Sequence, residues 1–142
     1  MDYQQSRAYI RDAEQYAGGA LDLTNIKEIM KRLGNPQDQL KYVHVAGTNG
    51  KGSVIAYLYT TLTNAGYHVG RYISPSVYSY REKIEVEGKP ISREQFAKHT
   101  TRVAAVIEEM TAEGLAHPTP FEIETAVAFL FFGEEKCDPV IL

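Results

Sequence analysis

A short run rich in β-branched residues, Tyr42-Val43-His44-Val45-Ala46, passes directly into Gly47-Thr48-Asn49-Gly50-Lys51-Gly52-Ser53, and a helical pattern follows from Val54 to Ala65. That order restricts the fold severely. The run reads as a buried strand. Ile55, Leu58, Tyr59 and Leu62 then share one helical face that Gly66 closes, and His68 to Ile73 reads as a second strand ending at Ser74-Pro75. Strand, loop, helix and strand form a βαβ unit, whose crossover makes a parallel sheet. The expected class is therefore α/β with a parallel sheet.

A glycine-rich turn between strand and helix lets successive backbone N–H groups converge on one anion, and the helix adds its positive end. Gly47, Gly50 and Gly52 supply the freedom, Lys51 can reach β- and γ-phosphates, and Thr48 or Ser53 can offer a hydroxyl to phosphate or Mg²⁺. The commonest phosphate-loop pattern, G-x-x-x-x-G-K-[ST], is not met. Val45 stands where its first glycine belongs, and Gly52 separates Lys51 from Ser53. The alternative is a glycine-rich turn with a solvent-exposed lysine. Ser74, at the end of the second strand, faces the same sheet edge; it is a candidate Mg²⁺ ligand or merely part of a strand terminator. His44, with no partner at metal spacing, reads as a core or supporting histidine. Glu122 and Glu124 sit at a helix start, where carboxylates are favoured in any case.

The flanking segments are helical. Asp2 to about Tyr16 is amphipathic, and Gly18-Gly19 breaks it. Asp22 or Thr24 can cap a second helix carrying Ile26, Ile29, Met30 and Leu33, which Gly34-Asn35-Pro36 stops. Ser76 to Arg81 is a loop, and Lys83 to Val86 with Glu87-Gly88 predicts a hairpin. Ser92, with Gln95 in capping-box position, begins a helix with a stripe of Phe96, Val103, Ile107 and Met110. Phe121 to about Glu135 is a more apolar helix, and Val140-Ile141-Leu142 begins a further strand. The expected organisation is a helical lead-in over 1–40, the βαβ unit over 41–75, a loop and hairpin over 76–91, and helices with a strand start over 92–142.

Composition excludes several classes. The 142 residues suffice for one domain with a core, and a net charge of −3 argues against a general nucleic-acid binder. No apolar run approaches the roughly 18 residues that span a bilayer. The N-terminus lacks the apolar stretch of a secretory signal, and the single cysteine, Cys137, suits a reducing cytoplasm. Cys137 itself reads as a buried structural thiol. Ten tyrosines without tryptophan suggest half-buried rings with wet hydroxyls.

The decapeptide His44 to Ser53 resembles the signature loop of the folylpolyglutamate synthases and dihydrofolate synthases, a branch of the Mur ligase superfamily. The glycine between lysine and hydroxyl sets this branch apart. Other stretches agree in order: Leu33-Gly34-Asn35-Pro36-Gln37, Gly70-Arg71-Tyr72-Ile73-Ser74-Pro75, Glu82-Lys83-Ile84 with Glu87-Gly88, and Phe121-Glu122. The resemblance runs from about Leu21 onward. Ser76-Val77 departs from the family's His-Leu, and Asp22-Leu23-Thr24-Asn25 departs from its Asp-Leu-Gly-Leu.

The resemblance implies an ATP-dependent ligase that joins L-glutamate to a folate, or to dihydropteroate, through an acyl phosphate. A carboxylate expels neither hydroxide nor oxide at neutral pH, so phosphorylation creates the leaving group that the amine displaces. It also implies site residues. Gly47, Thr48, Asn49, Gly50, Lys51, Gly52 and Ser53 would hold ATP, with Lys51 at the transferred group and Ser74 on Mg²⁺. Asp22, Leu23, Thr24, Asn25, Phe121 and Glu122 would contact the folate, and residues 76–84 would form a mobile loop beside it. In the family the strand at Val140 continues into a metal-binding glutamate, and a C-terminal domain follows. The 142-residue chain is thus expected to be the N-terminal part of a monomeric enzyme and inactive by itself. The competing readings are a small non-catalytic nucleotide-binding module and an unrelated phosphate-loop kinase or NTPase.

Overall fold

The computed structural model describes residues 1–19 and 22–142. Ala20 and Leu21, the second marking where the resemblance begins, lie outside them. The chain forms two compact units, one of Met1–Asp38 with Ser92–Phe131 and one of Gln39–Ile91 with Phe132–Leu142.

The first unit is helical. Helix α1 (Tyr3–Asp12) starts in a capping box between Asp2 and Gln5 and runs into a 3₁₀ turn at Ala13–Tyr16. Helix α2 spans Thr24–Arg32. Neither Asp22 nor Thr24 is its N-cap. Leu23 takes that position, while the Asp22 carboxylate reaches forward to accept from the Thr24 N–H at 2.9 Å. Gly34 and Asn35 end the segment with φ of 87° and 52°, the left-handed conformation that glycine and asparagine tolerate.

Both helices pack on α4 (Arg93–Ala112), which Ser92 caps by accepting from the Gln95 N–H. Its Phe96, Val103, Ile107 and Met110 are all buried, as the spacing predicts. Tyr3 meets Phe96 edge-on at 5.6 Å. Each such side chain contributes about 1.5–3 kcal/mol when fully buried. Helix α5 (Pro120–Glu134) is mostly apolar and mostly buried: Ile123, Ala126, Val127 and Ala128 have no accessible surface, while Phe121 and Glu134 at its ends are exposed.

The second unit is a five-stranded sheet of order β1-β5-β2-β3-β4, with β1 at Tyr42–Val43, β2 at Gly70–Tyr72, β3 at Ile84–Val86, β4 at Lys89–Pro90 and β5 at Val140–Ile141. It is mixed rather than parallel. β1, β5 and β2 run parallel, whereas the β3–β4 hairpin joins β2 antiparallel. The βαβ reading is right in order but not in adjacency, because β5 inserts between β1 and β2.

β1 is also shorter and wetter than a buried strand. It has a neighbour on one side only, and Tyr42 is exposed. His44 lies beyond β1 and is exposed, which removes it from the core. Helix α3 spans Lys51–Asn64, and its Ile55 packs with Val69 and Ile141; Val43, Val45, Leu58 and Ile73 lie around them.

The hairpin turn Glu87-Gly88 has φ of 51° and 76°, the double left-handed conformation a tight two-residue connection needs. Arg71 on β2 faces Glu85 on β3, pairs with it at 2.7 Å and lies 5.3 Å over the Tyr59 ring of α3. Burial pushes the Glu85 carboxyl up, and Arg71 opposes that shift. Cys137 is buried, and its thiol is pushed up to about 12, first by burial and then by Glu135 and Glu87.

Gly70 lies against the same cluster. A Cβ there would fall 2.8 Å from Phe132 Cδ1 and 3.1 Å from Cys137 Sγ. Gly70→Ala should therefore destabilise the protein by about 1–3 kcal/mol through overpacking. Urea unfolding checks this, and an unchanged midpoint would show that the cluster yields freely.

Candidate functional site

β1 delivers the chain to the glycine loop, where Gly47 and Gly50 have φ of 152° and 77°. α3 starts at the next residue with Gly50 as N-cap; no side chain caps it, and its first turn holds no acidic residue. An uncapped helix start leaves donors pointing outward with partial positive charge. Gly47 through Ser53 are all exposed, including the Lys51 side chain. At Gly52 an added Cβ would meet nothing within 4 Å. The fold itself does not demand glycine there.

Ser74 is exposed just past β2. Because β1, β5 and β2 are parallel, the loop, Leu142 and Ser74 all emerge at one sheet edge, and the Val45 N–H donates to the Leu142 carbonyl at 2.9 Å. The ends of β1 and β2 are two strand spacings apart, roughly 10 Å. The structure thus brings Ser74 and the loop together. Among the described residues no group of three His, Cys, Asp or Glu could hold a metal. The oxygen donors at this edge are hydroxyls of Thr48, Ser53 and Ser74, a hard set that fits Mg²⁺, which keeps several waters and binds phosphate oxygens beside one or two protein ligands.

The segment after Ser74 is held by a carboxylate that no spacing argument singled out. Glu82 Oε1 accepts from the Tyr78 N–H at 2.7 Å and from the Val77 N–H. These bonds, with that from Tyr78 largest, hold its carboxyl below the usual range. Val77 and Tyr78 side chains are left 78% and 95% exposed, so the clamp presents them rather than burying them.

The residues expected to contact folate gather in the helical unit. Asp22, Leu23, Thr24, Asn25, Phe121 and Glu122 line one cavity of about 790 Å³. Phe121 is 59% exposed on its wall. Glu122 has a structural task as well: its Oε2 accepts from the Thr119 N–H at 2.8 Å and from Thr119 Oγ1 at 3.1 Å, closing a capping box on α5. Thr119-Pro120-Phe121-Glu122 carries this signal openly, with proline at the first helical position. Tyr16, Ile26, His117, Thr125 and Phe129 also line the cavity. They come from separate segments and leave no local pattern.

No protein-family model matches the chain. The dihydrofolate synthase/folylpolyglutamate synthase of Bacillus subtilis is 40% identical over 140 residues, 98% of this chain and 32% of that protein. The folylpolyglutamate synthetase structure from Lactobacillus casei superposes with a TM-score of 0.91 at 31% identity, over 100% of this chain and 36% of its own. By sequence and by fold, its relatives are folylpolyglutamate and dihydrofolate synthases. A further structure, a folylpolyglutamate synthase complex with AMPPCP and folate, matches with a TM-score of 0.87 at 31% identity, covering 100% of this chain and 35% of its own. The chain thus spans about a third of the length of these three proteins.

The Glu82 clamp has a measurable signature. Its carboxyl is depressed by accepting two N–H bonds, so the clamp is closed above the ordinary glutamate range and opens only as pH falls below it. The amide proton shifts of Val77 and Tyr78 should titrate together, with a midpoint below the unperturbed value of about 4.3. Midpoints at or above that value would show that the bonds do not persist in solution.

Proposed function

We propose that the whole protein is an ATP-dependent ligase that adds L-glutamate to a folate, or to dihydropteroate, and that this chain carries its phosphate loop and part of its acceptor pocket. The observation that carries this is the uncapped start of α3 behind Gly47–Ser53, on a chain whose relatives include a complex with AMPPCP and folate. A helix start left open, exposed and without acidic neighbours suits an anion of high charge density.

In this reading the fold is of the Mur-ligase type, with Gly47 to Ser53 as a phosphate loop. Loop N–H groups cradle the triphosphate, and Lys51 neutralises charge on the group in transfer. Ser74, with the hydroxyl of Ser53 or Thr48, would hold Mg²⁺. When bound, Mg²⁺ supplies charge neutralisation on the phosphates. The cavity of Asp22–Asn25, Phe121 and Glu122 takes the ring end of the folate. The resemblance places a metal-binding glutamate beyond Leu142, and Leu142 emerges at the edge shared by the loop and Ser74. Catalysis is then positioning plus electrostatics, since the chemistry belongs to the phosphoanhydride, the acyl phosphate and the amine. The enzyme acts as a cytoplasmic monomer; among the described residues no helix is long and apolar enough to cross a membrane.

Two substitutions separate fold from function at the loop. In the whole enzyme, Lys51→Ala should lower kcat for glutamate ligation by about a hundred- to a thousandfold, on the scale of removing one pre-organised charge contact; wild-type turnover would remove the assignment. Gly52→Ala should raise folding stability by about 0.5–1 kcal/mol, because glycine is costly within a helix and the added methyl meets nothing. The same change should weaken AMPPCP binding at least tenfold by calorimetry. Unchanged affinity would mean that no phosphate approaches the backbone at Gly52.

A further inference from the structure

The helical unit's cavity is walled at one end by two rings that no sequence pattern joins. His117 and Tyr16 are stacked, with centroids 4.1 Å apart and planes 15° from parallel, and both line the cavity. Tyr9 lies beside His117, tilted, at 6.2 Å. The Tyr9 hydroxyl is pushed up to about 12, first by burial and then by Glu108 and Tyr16, as befits a ring packed in behind. The imidazole is thus held from two sides.

Its tautomer is also fixed. Nδ1 lies 2.8 Å from the Pro118 carbonyl oxygen. A carbonyl only accepts, so Nδ1 carries the proton and donates. In the neutral ring Nε2 is then a lone-pair acceptor, and among the described residues no group bonds it. Two of the other polar side chains here are carboxylates, beside Thr24, Asn25, Thr119 and Thr125. Asp22 uses one carboxylate oxygen on the Thr24 N–H, and Glu122 uses one on Thr119, so each keeps an oxygen. The wall therefore combines flat aromatic surface with acceptors and carries no lysine or arginine.

We propose that His117 is a specificity-determining residue of this cavity, accepting through Nε2 a hydrogen bond from an N–H donor on a flat heteroaromatic ligand. The proposal rests on the reading of the cavity as the site for the ring end of the folate. A pteridine offers such a face and such donors at its amino-pyrimidine edge. A hydrocarbon ring of the same shape would leave Nε2 and both carboxylates desolvated and unmatched, which is how a polar site rejects an analogue lacking the donor.

Calorimetric titration of the full chain with pteroic acid tests this. The probe lacks the glutamate tail, so only the ring end is at issue. His117→Phe keeps a ring on Tyr16 and removes Nε2; it should bind at least tenfold more weakly than wild type. His117→Gln, which restores an acceptor, should recover part of that loss. Equal affinity of wild type and His117→Phe overturns the role of His117 and leaves the cavity reading standing. A wild-type chain that binds no pteroic acid overturns the cavity reading and this proposal with it. Should the phenylalanine variant not fold, the ring ¹⁵N resonances of His117 in the unmodified chain decide. Nε2 should move on adding pteroic acid while Nδ1 stays at its protonated position, and a static Nε2 refutes the hydrogen bond.

Discussion

The second unit depends on the docking of its last two strand residues. β1 has no pairing except with β5, and β2 touches the parallel part of the sheet only through β5. Among the bonds that fix this are Val140 N–H to the Lys41 carbonyl at 2.8 Å, Leu142 N–H to Val43 at 3.0 Å, Val45 N–H to Leu142 at 2.9 Å, and Gly70 N–H to Pro139 at 3.0 Å. Residues nearly a hundred positions apart must meet before the glycine loop has a strand beneath it. Loop closure on that scale is entropically costly, and apolar burial must compensate for it. Val140 and Ile141, both without accessible surface, contribute that burial. Gly70 then allows Phe132 and Cys137 to close over the adjacent strand without a methyl in the way.

Against that constrained sheet, the start of α3 is left deliberately unfinished. Asp2 caps α1, Ser92 caps α4 and Thr119 caps α5, each through a side-chain oxygen on a backbone N–H or a reciprocal carboxylate. α3 has Gly50 instead. Glycine is itself an acceptable N-cap, only a few tenths of a kcal/mol short of Ser, Asp or Asn, and its φ of 77° suits it to this turn, but it brings no side-chain acceptor to the first N–H groups. α2, with Leu23 at its N-cap, has no side-chain cap either, but α3 opens behind a run of exposed residues from Gly47 to Ser53 with no acidic residue in its first turn. In the proposed function an external anion takes the place of that cap.

Much of this was legible in the sequence. Among the described residues, periodicity located the α-helices to within a few residues but not the 3₁₀ turns at Pro36–Gln39 and Tyr80–Lys83. The β-branched run, the glycines and the following apolar face placed the loop, while Glu87-Gly88 placed the hairpin turn. What was not legible was pairing. Nothing local in Tyr42–Ala46 says that its only partner is Val140–Ile141, so edge position and exposure were misread as burial. Strand order is a long-range property, and a parallel crossover says nothing about what inserts between its two strands. Glu122 was found for its place beside Phe121, yet Thr119 makes it a cap first. Glu82 stood within a matched stretch, but its bonds to Val77 and Tyr78 depend on how the loop folds back. Tyr16 and His117 are a hundred residues apart, and only the packed helices bring their rings together.

The same economy recurs in the cavity. Asp22 and Glu122 each spend one carboxylate oxygen on a local backbone N–H, and His117 spends Nδ1 on the neighbouring carbonyl. These bonds serve the fold, and each also fixes the direction of the atom that remains. A carboxylate anchored through one oxygen has fewer rotamers for the other, and an imidazole anchored through Nδ1 has one tautomer and one ring plane. Ordering these groups before a ligand arrives removes part of the entropy that binding would otherwise cost, about 0.5–1.5 kcal/mol for each rotamer-rich side chain. Local capping and turn chemistry, which a sequence displays, thereby becomes pre-organisation of a site, which it does not.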